Sequence, residues 1–371
     1  MSARENTVTL NTYPGATLTG VERVDRLPQL SCAHKEGQSG MVRINVLVND
    51  QITEDMLPRI EAVDPRIKVT HVGKLLSAEL QGDHKASSLL DGLLAEAEVY
   101  AGMRMPARLL TRAPQLKWVQ VAQAGVDRVL LDEEFRRSPV MLSNVGGVHS
   151  FAPAELAIQC CLAWVKGTVE CARQKESRLW KPFSPGVLRG KTMGLVGYGN
   201  IGQKVARIAK AFEMWVIATR RSATKEGKAR YADLILPQTG MNRLLSESDF
   251  VVLATPLTPD TYHMMSAAQF DIMKKDALLV NVSRGPVVDE AALAIALREK
   301  RIGGAALDVF EQEPLPQDSP LWELPNLLYS PHIAGYISAY PSMVQDLFVR
   351  NMERYVRGEK LLTLVNKKRG Y

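Results

Sequence analysis

The chain has 371 residues, 46% of them hydrophobic and 23% charged, with a formal net charge of +6. That length accommodates two ordinary domains, each with its own core. No apolar run approaches the roughly 20 residues needed to span a bilayer, and no Lys/Arg run is interleaved with aromatics, so neither a membrane nor nucleic acid is the expected partner.

In chain order, residues 1–40 lack sustained periodicity and read as an N-terminal extension. The opening MSARENTVTLNTYPG has no secretory h-region, so a cytoplasmic location is expected. From Val42 the texture becomes α/β. Strands are predicted at Val42–Val48, Arg66–Val72, Glu98–Gly102, Leu116–Val121 and Val140–Asn144. Helices are predicted at Thr53–Val63, opened by Thr53, and near Ala86–Ala95. Strand alternating with helix argues for a parallel layer.

An apolar helix is predicted from near Pro153 to about Lys166, and Arg173–Leu188 reads as surface structure. The adjacent Cys160 and Cys161 lie in that helix and are expected to be packed thiols. With Cys32 and Cys171 they form no C-x-x-C, so no zinc site is expected.

A second α/β series follows. Its six predicted strands are Thr192–Gly197, Trp215–Thr219, Phe250–Ala254, Ala277–Val282, Gly304–Asp308 and Asn326–Ser330. The amphipathic helix Tyr340–Arg357 can return to the first layer. The expected fold is therefore α/β with two Rossmann-like, doubly wound domains. Residues 41–145 and 336–371 would form a discontinuous substrate domain, and 146–335 a dinucleotide-binding domain.

The segment Gly197-Tyr198-Gly199-Asn200-Ile201-Gly202 is G-x-G-x-x-G between a predicted strand and a predicted helix. Gly197 permits a tight turn, Gly199 lets backbone N–H groups approach a pyrophosphate, and Gly202 lets helix and strand pack closely. The anion would sit on the helix N-terminus, with Asn200 and Ile201 in its first turn.

In such a unit the next strand commonly ends in an acid that grips the adenosine ribose. Here Trp215–Thr219 runs into Arg220-Arg221-Ser222, and no acid lies between Thr219 and Lys225. Two guanidiniums and a hydroxyl suit a 2′-phosphate, so NADP is the preferred cofactor, with NAD possible. The competing reading is a solvent-facing arginine pair and weak acceptance of NAD.

Several linked segments extend the pattern: LRGKTMGLVGYGNIG (188–202), ATPLTPDT (254–261), NVSRGPVVDEAAL (281–293), GAALDVFEQEPLP (304–316) and SPHIAGY (330–336). In order and spacing they resemble the D-isomer-specific 2-hydroxyacid dehydrogenases, a family that includes glyoxylate/hydroxypyruvate reductases and phosphoglycerate dehydrogenases. The resemblance runs from about residue 42 to the end of the chain.

It implies a substrate cleft between two α/β domains and a catalytic set of Arg284, Glu313 and His332. The chemistry of each residue suits that role. A guanidinium can hold the carboxylate of a 2-oxo acid and polarise its carbonyl. An imidazolium can protonate the carbonyl oxygen as hydride reaches carbon. A carboxylate beside the imidazole favours its charged form and orients the ring.

The resemblance further implies that Ala124 and Gly125 hold the substrate carboxylate through backbone N–H groups. Pro256, Thr261, Val282, Arg284, Asp308 and His332 would line the cofactor, with Asp308 at the nicotinamide carboxamide. The competing reading of Asp308 is a loop-capping acid. His34, His71, His84, His149 and His263 keep a structural default, and Glu311 that of a solvated loop acid. The family also implies a homodimer, for which the helix around Leu156–Trp164 could serve.

The activity so implied is NAD(P)-dependent reduction of a small 2-oxo acid. Alternatives are a phosphoglycerate dehydrogenase or a non-catalytic dinucleotide-sensing corepressor. A formate dehydrogenase would suit a neutral glutamine at position 313 better than this glutamate.

Overall fold

The computed structural model describes residues 42–371. The expected N-terminal extension, with Cys32 and His34, lies outside the described residues. Strands β1 Ile44–Val48, β2 Ile67–His71, β3 Val99–Gly102, β4 Trp118–Val121 and β5 Met141–Ser143 form a sheet in the order β2-β1-β3-β4-β5. Every pair in it is parallel.

The second sheet holds β6 Thr192–Val196, β7 Trp215–Thr219, β8 Gly227–Ala229, β9 Ala232–Leu236, β10 Phe250–Leu253, β11 Leu278–Asn281, β12 Gly304–Leu307 and β13 Leu327–Tyr329. Its order is β13-β12-β11-β10-β6-β7-β9-β8. Only the edge pair β8–β9 is antiparallel. Both sheets are doubly wound α/β layers, as the alternation of strand and helix predicts.

The eleven predicted strands lie within two residues of observed ones. Two observed strands went unread, making eight strands in the second sheet instead of six. No helix separates β8 from β9, so the alternation that marks the other strands is missing there. The helix Gly73–Leu80 was also unread; it opens on a glycine and has no side-chain cap.

The helix expected over Thr53–Val63 is shorter. A 3-10 turn, Glu54–Met56, precedes the single α-helical segment Leu57–Glu61, and Thr53 makes no side-chain cap. Pro58 explains the break. It lacks the N–H that a helix begun at Thr53 would require of it, and it is tolerated only in a first turn.

Both faces of the second sheet are covered. Val196, Ile217, Leu253 and Leu279 point into one core, and the alternating Leu195, Val216, Val252 and Val280 into the other. Burial on both faces accounts for the near-continuous apolar character of these parallel strands. Cys161 packs into the second of these cores, and Cys160 lies against it. Burial pushes the Cys160 thiol up to about 11 and raises Cys161 further, so neither is a ready nucleophile.

The helix Tyr340–Val356 packs on the first sheet. Phe348, Val349 and Met352 share a core with Ile44, Val46 and Trp118. A buried polar contact fixes its register, with Asn351 Nδ2 donating to Gln120 Oε1 at 2.7 Å.

Candidate active site

The second sheet reverses direction of strand order between β6 and β10, the place where open α/β sheets bind ligands at their carboxyl ends. The glycine loop follows β6 at this point. Gly197 has φ +104°, and a Cβ there would lie 2.7 Å from Ala254 O after β10, so only glycine fits. A Cβ on Gly202 would collide with Gly197 O. At Gly199 it would meet open space, which leaves the backbone accessible to a ligand.

The helix Asn200–Ala211 begins there without a side-chain cap or a first-turn acid. Its N-terminal N–H groups and the dipole are thus available to a diphosphate. These features fit a dinucleotide.

Neighbouring loops complete the rim in strand order. After β7, Thr219 Oγ1 accepts from Gly197 N at 3.3 Å, so its hydroxyl shapes the glycine loop. Arg220 and Arg221 follow, both exposed, and neither has an acidic ion-pair partner among the described residues. Glu226, the next acid, is taken by Arg243 at 3.0 Å. After β10, the buried Thr261 donates to Pro256 O at 2.7 Å and accepts from Thr258 N at 2.8 Å, closing that loop internally. Val282 is buried directly after β11.

The three candidate catalytic residues follow three adjacent strands: Arg284 after β11, Glu313 after β12 and His332 after β13. Arg284 is braced from both sheets. Its Nε donates to Asp127 Oδ1 at 3.1 Å, and its Nη1 donates to Ser283 O at 2.8 Å. A Cβ on Gly125 would fall on the guanidinium, so the loop after β4 abuts Arg284 directly. Asn144 Nδ2 donates to Ala124 O at 2.6 Å and Tyr340 Oη to Ala122 O at 2.7 Å, fixing that loop. Asn281 Nδ2 donates to Arg284 O at 3.0 Å and fixes the turn.

His332 Nδ1 lies 2.8 Å from Glu313 Oε2. A carboxylate only accepts, so Nδ1 carries hydrogen and Nε2 is left for substrate. Glu313 Oε1 accepts from Phe310 N at 3.1 Å, which fixes the carboxylate in turn. A Cβ on Gly285 would strike the Phe310 backbone, so the Arg284 turn and the Glu313 loop are in close contact.

Asp308 is 3% exposed and holds the His332 loop. Its Oδ1 accepts from Ser330 Oγ at 2.6 Å and Ile333 N at 2.9 Å, and its Oδ2 from Ala334 N at 3.0 Å. The loop-capping reading describes these contacts.

Glu311 is an exposed loop acid, as expected, with two specific partners. Its Oε1 accepts from Glu290 N at 3.0 Å and meets His263 Nε2 at 3.0 Å. The reason is local: Glu290 opens the helix Glu290–Arg298, whose first N–H groups need acceptors. Sequence reading assigned no role to Asp127, Asn281 or Ser330. The partner of Asp127 is 157 residues away, whereas Asn281 lies three residues before Arg284 and Ser330 two before His332, so only these two carried a local signal.

The comparisons with known proteins agree with this geometry. Residues 158–334 match the model of the D-isomer specific 2-hydroxyacid dehydrogenase NAD binding domain. A glyoxylate reductase from Thermococcus litoralis is 36% identical over 71% of this chain and 81% of its own length. The crystal structure of a D-isomer specific 2-hydroxyacid dehydrogenase family protein from Aeromonas salmonicida superposes with a TM-score of 0.74 at 32% identity, covering 88% of this chain and 99% of that one. An NADPH-dependent glyoxylate/hydroxypyruvate reductase from Sinorhizobium meliloti, in complex with NADP and sulfate, also gives 0.74, at 26% identity over 89% of this chain and 100% of that one. The chain belongs to the D-isomer-specific 2-hydroxyacid dehydrogenase family, NAD(P)-dependent oxidoreductases that interconvert 2-oxo and 2-hydroxy acids.

Proposed function

We propose that this chain reduces a small 2-oxo acid of the glyoxylate or hydroxypyruvate type to the D-2-hydroxy acid, with NADPH preferred over NADH. The observation that carries the reading is the junction of the two sheets. Arg284 is held against Gly125 and Asp127 from one, while the His332–Glu313 pair sits after the next two strands of the other. The names of the Thermococcus and Sinorhizobium relatives support the substrate class.

In this scheme bound dinucleotide supplies the hydride. Arg284 Nη2 and the N–H groups of the 124–125 loop bind the substrate carboxylate. The guanidinium also faces the carbonyl oxygen and stabilises the negative charge that grows there. His332 Nε2 delivers the proton, and Glu313 keeps the ring oriented through Nδ1. Asp308 acts indirectly, by fixing the loop that carries His332.

The preference for NADPH rests on Arg220 and Arg221, without a competing acid, at the end of β7. A cytoplasmic homodimer is part of the same reading. The exposed run Leu179, Trp180, Phe183 and Val187 supplies apolar surface for a second copy.

The test is a matrix of 2-oxo acids against NADH and NADPH on the purified protein, with mass measured in solution. Turnover of glyoxylate or hydroxypyruvate, faster with NADPH, is the expected result. Tight dinucleotide binding without turnover of any 2-oxo acid would replace the enzyme with a sensor.

A further inference from the structure

The segment Leu361–Tyr371 leaves the first sheet and ends on the second. Its start is firmly anchored. Leu362 N donates to Asn351 Oδ1 at 2.7 Å, and Val365 N donates to Leu142 O at 2.8 Å. Lys367 Nζ donates to the carbonyls of Phe135, Ser138 and Val140 at 2.9, 2.6 and 2.9 Å. A tight turn then reverses the chain: Gly370 N donates to Asn366 O and Asn366 N to Tyr371 O, both at 3.0 Å, with Gly370 at φ +82°.

This turn brings two groups onto the cofactor rim. A Cβ on Gly370 would lie 3.5 Å from Thr258 Cγ2, in the loop after β10. The Tyr371 ring lies under the Arg221 guanidinium, with Cζ 4.5 Å from the ring centroid.

We infer that Tyr371 is a positioning residue for recognition of the adenosine 2′-phosphate: it stacks Arg221 against its ring and so holds the guanidinium ready for the phosphate. The inference rests on the NADP reading above. Stacking engages the face of the guanidinium and leaves its N–H edge free for phosphate oxygens. An unstacked arginine on an exposed loop must give up rotamer freedom when it binds; a stacked one has already lost much of it. The ring itself is held by the folded turn and by the Lys367 anchor. The specificity of the second sheet is thereby supported by a segment rooted in the first. Nothing in the motif at 215–222 shows this, because the supporting residue lies 150 positions away from Arg221.

The experiment is equilibrium binding of NADP+ and NAD+ to the full chain, without substrate, for the unaltered protein and for Tyr371→Ala, Tyr371→Phe, Arg221→Ala and the Arg221→Ala/Tyr371→Ala double variant. Tyr371→Ala is expected to weaken NADP+ about three- to tenfold, the scale of a partly exposed cation–π contact, and to leave NAD+ unchanged. Tyr371→Phe keeps the ring and should bind like the unaltered protein. In the Arg221→Ala background the tyrosine change should have no further effect. If the unaltered protein prefers NADP+ and Arg221→Ala loses that preference while Tyr371→Ala keeps it, the inference is overturned and the NADP reading stands. If the unaltered protein shows no preference at all, the NADP reading falls and takes this inference with it.

Discussion

His332 Nδ1 and Glu313 Oε2 are 2.8 Å apart, and His332 itself sits in the left-handed region at φ +53°. A non-glycine residue is uncommon in that region, although histidine tolerates it better than most. Here it is held: His332 N donates to Asp308 O at 2.8 Å, and the next two N–H groups go to the Asp308 carboxylate. The imidazole is thus fixed from both its backbone and its ring.

The first prediction concerns that pair. His332→Ala should remove most reductive turnover while dinucleotide binding persists. Glu313→Gln keeps a hydrogen-bonding group but loses the charge-assisted acceptor that fixes the ring through Nδ1, so reductive kcat should fall while dinucleotide affinity is unchanged. An unchanged kcat in Glu313→Gln would break the coupling.

Asp308 provides a second test, of stability and rate together. Asp308→Ala strands the buried N–H of Ala334, releases the part-buried N–H of Ile333 and frees the Ser330 hydroxyl. A buried unsatisfied donor costs about 1–3 kcal/mol, so the loss should reach at least about 1 kcal/mol in chemical denaturation. Turnover should fall as well, since the His332 loop loses its anchor. Denaturation midpoints equal to those of the unaltered protein would show that the contacts contribute little.

For Arg284 the expectation separates charge from shape. Arg284→Lys keeps the charge but loses the planar fork that reaches Asp127, Ser283 and a carboxylate together. Losing a charge-assisted contact of about 1.5–3 kcal/mol should lower kcat/KM for 2-oxo acids roughly ten- to a hundredfold, with dinucleotide affinity little changed. Asp127→Asn should give a smaller loss of the same kind. Unaltered kcat/KM in Arg284→Lys would remove the guanidinium from substrate binding.

What the sequence revealed and what it hid divides along physical lines. The strands of the second sheet were legible because each is apolar on both faces and most are separated by helices. β8 and β9 were not, since a short antiparallel edge hairpin lacks that punctuation. Gly197 and Gly202 were legible because close backbone approach leaves room only for glycine there, and Gly199 through its fixed spacing between them. Arg284 was legible in its motif, but its brace Asp127 was not, being 157 residues away and on the other sheet. Long-range polar partners leave no periodicity to read.

His149 yields a pH prediction. The ring stands edge-on to Tyr340 at 4.7 Å, and its Nδ1 is buried without a hydrogen-bond partner among the described residues. Burial lowers its pKa below the ordinary value of 6.5. The unfolded chain then binds a proton that the folded one refuses. This contribution to stability is therefore present above about 6.5 and is lost as pH falls through that value toward the folded one. His149→Phe keeps the aromatic packing and should flatten the fall in Tm between neutral and mildly acidic pH. A fall as steep in the variant would assign the acid sensitivity to other groups.

The last prediction concerns cofactor choice at Arg220. The residue closes β7, with its N–H on Leu236 O at 3.0 Å, so its backbone is fixed beside the glycine loop while its side chain is exposed. An acid at this position would accept from both ribose hydroxyls and repel a 2′-phosphate. Arg220→Asp should therefore act twice, removing a charge-assisted contact worth about 1.5–3 kcal/mol and adding a repulsion. The ratio of kcat/KM for NADPH to that for NADH should fall at least tenfold, and the same ratio is measured across salt concentrations. In the unaltered protein the ratio should shrink as salt rises, because exposed charges are screened over about 10 Å at 0.1 M. In Arg220→Asp the trend should weaken or reverse, since salt then masks a repulsion. Equal kcat/KM for the two cofactors in the unaltered protein would return Arg220 and Arg221 to the role of a solvated surface pair.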